Sequence, residues 1–188
     1  MDSEKELIKK IIDGDEKSCE KILNLYKARI FSYILRLVKN YDDAEEITFE
    51  VFIKFFKGIK TFDINKPIGT YLLTIAHNLV IDFFRKNKVE YEYLDERHSI
   101  SANFIEKYRN AKIMQAIEEA IQKLAPLDRE IMIFFHKEDL SYQEISKILD
   151  LPITTIKTRL HRARMKLREI LKNKYHSNKK SDIDGNNF

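Results

Sequence analysis

Residues 140–171 read LSYQEISKILDLPITTIKTRLHRARMKLREIL, and this stretch contains two amphipathic helical patterns separated by a very short turn. Apolar residues at helical spacing predict one inward face on each helix, and Pro152 closes the turn between them. We expect the inward faces to consist of Ile145, Ile148, Leu149, Ile153, Ile156, Leu160, Ala163 and Leu167. Ser141 and Glu144 form a capping-box pattern at the first helix. The stretch is typical of a helix-turn-helix, although ordinary bundles also contain two helices joined by a short turn.

The outer face of the second helix combines cations with hydroxyl groups. Residues 153–180 carry ten Lys or Arg and a single acid, Glu169. Arg and Lys suit guanine edges in the major groove and a hydroxyl suits several bases, whereas a merely solvated helix is the alternative. The candidate DNA-binding residues are Thr154, Thr155, Lys157, Thr158, Arg159, His161, Arg162, Arg164 and Lys166. Arg159, Arg164 and Lys166 are expected to hold phosphates. Lys157, Thr158, His161 and Arg162 are expected to face the bases.

The composition of the whole chain favours helices. The 188 residues include only four Gly and three Pro, and the net charge is +4. So few turn-forming residues disfavour a many-stranded sheet and a glycine-rich phosphate loop. A single Cys19 excludes a disulfide framework and a thiolate zinc cluster. We find no signal peptide and no apolar run of about 20 residues, so we expect a cytoplasmic protein without direct membrane insertion.

The apolar periodicity predicts an all-α fold of two small helical bundles joined by a flexible linker, with the helix-turn-helix in the C-terminal bundle. In the first bundle, residues 1–88, we expect helices at about 3–12, 16–38, 42–59 and 69–88. Residues 89–103 show no sustained period and are the predicted linker. In the second bundle, residues 104–176, we expect helices at about 104–124, 126–137, 141–149 and 153–175. Residues 177–188 are polar and are expected to be a disordered tail.

The last helix of the first bundle has a polar face with one aromatic ring. Tyr71, Thr74, Asn78, Asp82 and Arg85 share this face. A ring that stacks on an unpaired base, an amide that bonds its edge and a cation near the backbone suit single-stranded DNA. The preceding loop, TFDINKPIG, is placed to close a pocket over such a base. The alternative is that Tyr71 and Phe62 are core aromatics, which is the commoner fate of an aromatic in a bundle.

An acidic cluster surrounds the start of the third helix. Its members are Asp42, Asp43, Glu45, Glu46 and Glu50. Carboxylates at this end of a helix complement the helix dipole, so a purely structural role competes with a docking role.

Two separate segments resemble the bacterial sigma factors. From Leu124 to Leu171 the motifs LAPLDREIM, LSYQEISKIL and TTIKTRLHRARMKL resemble region 4 of that family. From Tyr41 to Lys88 the chain is similar to region 2. Their order and spacing resemble the two-domain, extracytoplasmic-function (ECF) sigma factors over roughly residues 7–172. Asp150 stands where Gly is usual, and because Asp tolerates the left-handed conformation we expect the tight turn to persist.

The resemblance implies an alternative sigma factor that is not an enzyme and needs no cofactor or metal. Its implied partners are bacterial core RNA polymerase, promoter DNA and a cognate anti-sigma factor. The outer face of the helix-turn-helix would then bind the minus-thirty-five element. For the minus-ten element the resemblance implies Phe62, Tyr71, Thr74, Asn78, Arg85 and Lys86, with Tyr71 where Trp is usual. For the polymerase it implies Asp43, Glu46, Glu50 and Lys54, beside Phe49 where Gln is usual.

Other function classes make distinguishable predictions. An enzyme would need a catalytic constellation, whereas the five His are scattered and Cys19 has no evident base partner. An ordinary helix-turn-helix regulator would bind double-stranded operator by itself, usually as a symmetric dimer. A helical adaptor that binds only proteins would leave the basic helix as a solvated face.

Overall fold

The computed structural model describes residues 3–87 and 110–184, with side chains for residues 3–87 and 115–172. The helices, in chain order, are α1 (Glu4–Ile12), α2 (Glu16–Val38), α3 (Tyr41–Lys57), a short 3-10 helix (Ile59–Thr61), α4 (Ile68–Lys86), α5 (Asn110–Gln122), α6 (Pro126–His136), α7 (Tyr142–Leu149) and α8 (Ile153–Asp184). The described ranges contain no β-strand. The predicted all-α fold class is therefore confirmed.

The chain divides into two compact units, whose main segments are residues 1–98 and residues 99–146 with 151–188. The first unit contains α1 to α4, and the second contains most of α5 to α8. The predicted linker, residues 89–103, lies outside the described residues, as do the boundaries predicted on either side of it.

In the first unit, α2 is the central helix and contacts α1, α3 and α4. Large side chains that are completely or almost completely buried form its core: Ile8, Ile22, Ile30, Tyr33, Ile34, Phe55, Leu72 and Leu73. Burial of each such side chain contributes about 1.5–3 kcal/mol relative to leaving it in water. This core fixes which faces of α3 and α4 point outward, and those faces carry the candidate site residues of the first unit.

In the second unit, α8 packs against α5 and α6. Ile131, Phe134 and Ile145 are fully buried in this unit. The guanidinium of the buried Arg129 donates hydrogen bonds to the carbonyl oxygens of Gln122, at 2.5 Å, and Leu124, at 3.2 Å. Because these carbonyls lie at the C-terminal end of α5, where they lack helical partners, Arg129 fastens the corner between α5 and α6.

The helix starts follow local capping chemistry. The Ser141 hydroxyl accepts a hydrogen bond from the Glu144 amide at 3.3 Å, and the Glu144 carboxylate accepts one from the Ser141 amide at 2.9 Å. The predicted capping box is therefore confirmed. Helix α3 begins one residue earlier than predicted because the Asn40 side chain caps it, accepting from the Asp43 amide at 3.1 Å.

Helix α8 is longer than expected and ends at Asp184 rather than near residue 175. The prediction that the whole segment 177–188 is a disordered tail is therefore wrong for residues 177–184, and residues 185–188 lie outside the described residues. Helix formation is cooperative, so once the packed part of α8 has nucleated, each further residue adds a hydrogen bond at little cost. A polar composition that cannot form a core does not prevent this extension.

Candidate functional site

The turn between α7 and α8 is held by two hydrogen bonds between the same pair of residues. The Leu151 amide donates to the Ser146 carbonyl at 3.1 Å, and the Ser146 hydroxyl donates to the Leu151 carbonyl at 2.5 Å. Asp150 adopts a left-handed backbone φ of 51°, which Asn and Asp tolerate better than other residues with a side chain. The expectation that the tight turn persists with Asp150 is confirmed, and the turn sets the direction in which α8 leaves.

Helix α8 buries one stripe of side chains and exposes the opposite stripe. Ile156, Leu160 and Ala163 are buried as predicted and Leu167 is half-buried, whereas Ile153 is exposed because it precedes the part of α8 that packs on the core. The exposed residues that were predicted to bind DNA are Thr154, Lys157, Thr158, His161, Arg162, Arg164 and Lys166, with Thr155 half-buried. The helix thus presents hydroxyls and cations together on a face that can enter a major groove.

Arg159, a predicted phosphate contact, forms an ion pair within the protein. Its guanidinium lies 2.9 Å from the Asp128 carboxylate on α6, and the two side chains are 39% and 19% exposed. Because this ion pair occupies the guanidinium and is partly shielded from water, Arg159 links α8 to α6. The phosphate contact of Arg159 stays a prediction, and the structure adds that this guanidinium already has a carboxylate partner within the protein.

Aromatic rings on α6 and α7 support two of the candidate cations on α8. The Lys157 ammonium lies 5.5 Å from the centroid of the Tyr142 ring, which stacks on Phe135 with centroids 5.1 Å apart. The Arg164 guanidinium lies 5.0 Å from the Phe135 centroid. Cation–π contacts at this range restrain long side chains without removing their charge. Sequence reasoning missed Tyr142 and Phe135 because it considered only side chains on α8.

His136 lies beside Arg164 at the edge of this array. The Arg164 Nη2 atom is 3.2 Å from the His136 Nε2 atom. Burial, together with the positive charge of Arg164, lowers the pKa of His136. The imidazole therefore tends to stay neutral, which lets its unprotonated nitrogen accept from the guanidinium.

Met165 lies on the outer stripe of α8 and was also missed. Its side chain is 53% exposed, seven residues beyond Thr158. Seven residues are close to two helical turns, so both side chains point the same way. The spacing would have identified Met165, but an apolar residue in a basic stretch was assigned no binding role.

In the first unit, the polar face of α4 is partly open to solvent. Asn78, Arg85 and Lys86 are exposed, whereas Tyr71 and Thr74 are half-buried. Arg85 lies 3.1 Å from Asp82, yet its side chain is 74% exposed. An exposed pair of this kind contributes only about 0–1 kcal/mol. The amide and the cations of this face are therefore available to a partner.

Phe62 is not available in the same way. It is only 9% exposed, and its ring centroid lies 4.9 Å from that of Tyr71 and 6.0 Å from that of Phe55. The prediction that Phe62 offers a ring to an unpaired base is therefore corrected: Phe62 lies behind Tyr71 and supports its ring. The alternative of a core aromatic holds for Phe62, because the apolar face of α3 covers it.

The outer face of α3 carries the predicted docking residues. Glu46, Glu50 and Lys54 are exposed and Asp43 is half-buried. The Lys54 ammonium lies 3.4 Å from the Glu50 carboxylate. Phe49 lies among these residues with its side chain 68% exposed. An exposed aromatic ring surrounded by carboxylates has the composition of an interface centre within a polar rim.

The described residues contain no group of three or more His, Cys, Asp or Glu side chains that is placed to hold a metal ion. Burial and the carboxylates of Asp15 and Glu16 raise the pKa of the Cys19 thiol, so the reactive thiolate is disfavoured. Within the same residues, no helix combines the length and the apolar character that crossing a membrane requires.

Two ranges of the chain match family models, and the two models describe two regions of the same protein family. Residues 22–90 match the model described as Sigma-70 region 2, and residues 114–167 match the model described as Sigma-70, region 4. The first match includes α3 and α4, and the second includes the helix-turn-helix. The candidate residues of both units therefore lie within the matched ranges.

Similar proteins span nearly the same length. An ECF RNA polymerase sigma factor, SigW of Bacillus subtilis, is 34% identical over 181 residues, which cover 89% of this chain and 96% of SigW. The RNA polymerase sigma factor YlaC of the same species is 26% identical and covers 81% of this chain and 91% of YlaC.

Two solved structures share the fold. The sigma factor RpoE in complex with the anti-sigma factor NepR, from Bartonella quintana, has a TM-score of 0.67 and 23% identity, covering 81% of this chain and 96% of RpoE. CnrH in complex with the cytosolic domain of CnrY has a TM-score of 0.68 and 18% identity, covering 92% of this chain and 99% of CnrH.

Proposed function

The chain belongs to the ECF sigma factors of the sigma-70 family, which are non-enzymatic transcription initiation factors with a role in promoter recognition, and from this membership we propose that it directs bacterial core RNA polymerase to a specific set of promoters. The observation that carries the proposal is the exposed stripe of hydroxyls and cations on α8, within the region 4 match. The range that matches region 2 includes α3 and α4, whose outer faces carry a second set of polar residues. Each unit then has its own task.

The second unit reads the minus-thirty-five element. Thr158, His161 and Arg162 lie on the outer stripe of α8 and face the base edges, while Arg164 and Lys166 hold phosphates. Arg is the commonest reader of guanine in the major groove. The aromatic support under Lys157 and Arg164 keeps these side chains extended, which lowers the entropy cost of ordering them on DNA.

The outer face of α3 docks on core polymerase. Asp43, Glu46, Glu50 and Lys54 form the polar rim of this interface, and Phe49 lies among them as its apolar anchor. Carboxylates on a rim steer association and select the partner more than they add affinity. Buried aromatic residues at the centre of an interface supply most of the affinity.

The first unit captures an unpaired base of the minus-ten element. The half-buried Tyr71 presents one face for stacking, with Phe62 packed behind it, and Asn78 supplies an amide for the base edge. Unstacking one base costs a few kcal/mol, and stacking on an aromatic ring returns about 1–3 kcal/mol. Arg85 and Lys86 continue this surface towards the phosphates.

A cognate anti-sigma factor completes the set of partners. The two solved structures with this fold are complexes in which a sigma factor, or CnrH, is bound by a second protein. A protein that covered the exposed face of α3 would exclude core polymerase by occupying the same residues. We place the protein in the cytoplasm, where core polymerase and promoter DNA are found.

Mobility shifts with and without core polymerase test the proposal. Promoters are first selected with core polymerase and this chain from a pool of duplexes that carry randomised blocks. The full chain is then titrated onto the selected duplex, with and without core enzyme. We expect a sequence-specific shift and transcription only with core enzyme. A specific shift by a dimer of the chain without polymerase would identify a regulator instead, and no shift in either case would identify a protein-binding adaptor.

A further inference from the structure

The loop that precedes α4 lies between a short 3-10 helix and the start of α4. Hydrogen bonds within this loop, residues 62–67, stabilise its conformation. The Asn65 amide donates to the Asp63 side chain at 3.0 Å, and the Lys66 amide donates to the Asp63 carbonyl at 2.9 Å. Phe62 packs on Tyr71 at one end of the loop. The loop is therefore attached to the surface that we propose captures the unpaired base.

Helix α1 contacts the chain on the N-terminal side of this loop and within it. It packs against the 3-10 helix Ile59–Thr61, and the Lys5 ammonium donates to the Asn65 side-chain oxygen at 3.0 Å. These two residues are 60 positions apart in sequence. Leu7, Ile8 and Ile11, on the neighbouring face of α1, are buried in the core and hold the helix where this contact forms.

Helix α1 also reaches the C-terminal side of the loop, through α2. The Tyr26 hydroxyl donates to the Glu4 carboxylate at 2.5 Å. Burial, and then this hydrogen bond, raise the pKa of Tyr26, so the phenol remains a neutral donor. The Tyr26 ring in turn lies 3.3 Å from the position that a Cβ on Gly69 would occupy, at the first turn of α4.

Helix α1 thus contacts the segment before the loop and the loop itself, and it reaches the segment after the loop through Tyr26. We propose that α1 is a positioning element for base capture. Lys5 acts through Asn65, and Glu4 acts through Tyr26. This inference rests on the proposed minus-ten function of the first unit. The N-terminal helix then contributes to selectivity at the unpaired base without contacting DNA. This role differs from a contribution to the stability of the whole unit, because α1 sets the position of the loop relative to Tyr71 and Asn78.

A double-mutant cycle tests the link between helix and loop. Lys5→Ala, Asn65→Ala and the double variant are compared, and Lys9→Ala serves as the matched control because Lys9 is an exposed lysine on the same helix. Each full-length variant is assembled with core polymerase. Binding is measured on fork templates whose single-stranded minus-ten segment carries either the preferred base or a changed base, and on a duplex that carries only the minus-thirty-five element.

We expect Lys5→Ala to reduce the ratio of the two fork affinities by about three- to tenfold, the range that one hydrogen bond supports, and to leave binding to the minus-thirty-five duplex unchanged. The same substitution in the Asn65→Ala background should add nothing, because the bond is already absent. Lys9→Ala should behave as the wild type. An equal loss on both forks, or an undiminished effect in the Asn65→Ala background, would overturn the proposal.

Hydrogen exchange on the free protein separates this inference from the proposed function. If α1 positions the loop, amides of residues 62–66 exchange faster in Lys5→Ala than in Lys9→Ala, with or without any activity on DNA. Unchanged loop exchange overturns the positioning role even where the wild type opens promoters. A different result separates the two hypotheses: Lys5→Ala speeds loop exchange, but the wild type shows no base preference on the forks. The minus-ten function is then wrong, while the mechanical link between helix and loop stands.

Discussion

At the residue scale, the arginines near the start of α8 are not equivalent. Within the described residues, Arg159 pairs with Asp128 and Arg164 lies over Phe135, whereas Arg162 is exposed and makes no hydrogen bond to the protein. A bidentate base contact needs two N–H groups on one edge of the guanidinium to be free. Arg162 is therefore the arginine best placed to read a base.

Replacing Arg162 by Ala should weaken holoenzyme binding to the preferred promoter by about 1–3 kcal/mol and relax selectivity at a single base pair. The measurement is competition binding across single-base variants of the minus-thirty-five element. Lys166→Ala is the matched control, since loss of a phosphate contact weakens all sequences about equally. If Arg162→Ala also weakens every sequence equally, Arg162 holds a phosphate instead.

Phe62 and Asn78, which were predicted to act together, should respond differently to truncation. Phe62→Ala removes a buried ring from the contacts with Phe55 and Tyr71, so we expect the free energy of unfolding to fall by about 3 kcal/mol or more. Asn78 is exposed, and Asn78→Ala should stay within about 0.5 kcal/mol of wild type. Urea unfolding followed by circular dichroism measures both, and an unchanged midpoint for Phe62→Ala would contradict its burial.

At the scale of the element, α3 keeps its charged residues outside the core. Its capping residue Asn40 and its buried face stabilise the helix without help from Glu46 or Glu50. The outer face can therefore change its charge without a change of fold. This independence permits a direct test of the docking surface.

Reversing charge with Glu46→Lys and Glu50→Lys should weaken association with core polymerase by about tenfold or more, because rim charges set electrostatic complementarity. The helical circular dichroism signal should not change, since exposed pairs such as Glu50 with Lys54 contribute at most about 1 kcal/mol. Fluorescence titration with core enzyme is the measurement, and Glu20→Lys, an exposed reversal on α2, is the control. Core affinity equal to that of the control would remove α3 from the interface.

The turn between α7 and α8 makes a prediction about an element junction. Asp150 has a φ of 51°, where a β-branched side chain is strongly disfavoured. Asp150→Val should therefore lower the free energy of unfolding of the second unit by about 1–2 kcal/mol and reduce minus-thirty-five binding. Asp150→Asn keeps the left-handed tolerance and should be nearly neutral in thermal unfolding. Equal melting temperatures for the two variants would show that the turn is not strained.

At the scale of the whole molecule, the proposed function requires both units for promoter opening. No nucleotide-hydrolysing step belongs to the proposed mechanism, so strand separation depends on preferential binding to the open state. In the proposed function, residues on α8 hold the duplex, while residues on α4 favour the unpaired base. Substitutions in the two places should therefore affect different stages of initiation.

Asn78→Ala should leave holoenzyme binding to closed duplex promoter nearly intact but reduce melting detected by permanganate, because in the proposed function its amide binds only an unpaired base. Transcription from a template with a pre-melted minus-ten segment should recover to near the wild-type level. Arg162→Ala is the comparison, since its defect lies in binding the duplex and pre-melting should restore less of it. Failure of the pre-melted template to rescue Asn78→Ala would remove Asn78 from base capture.

The sequence by itself determined the helices, the helix-turn-helix and the outer stripe of α8. These features depend on local rules, namely the apolar period of 3.6 residues, the Ser141 cap and the tolerance of Asp150 for a left-handed backbone. Such rules act over one or two turns, so the composition of a short segment is sufficient. The same rules underestimated α8, because cooperative extension to Asp184 depends on the packed helix that precedes it.

Only the tertiary structure decided which candidate side chains are free. Arg159 is compensated by Asp128, 31 residues away, Phe62 is covered by α3, and Lys5 reaches Asn65 across 60 residues. In each case the pattern within the segment is the same whether the side chain meets a partner or water. The outcome depends on how distant helices pack, since burial and pairing are properties of the space between elements rather than of any single one.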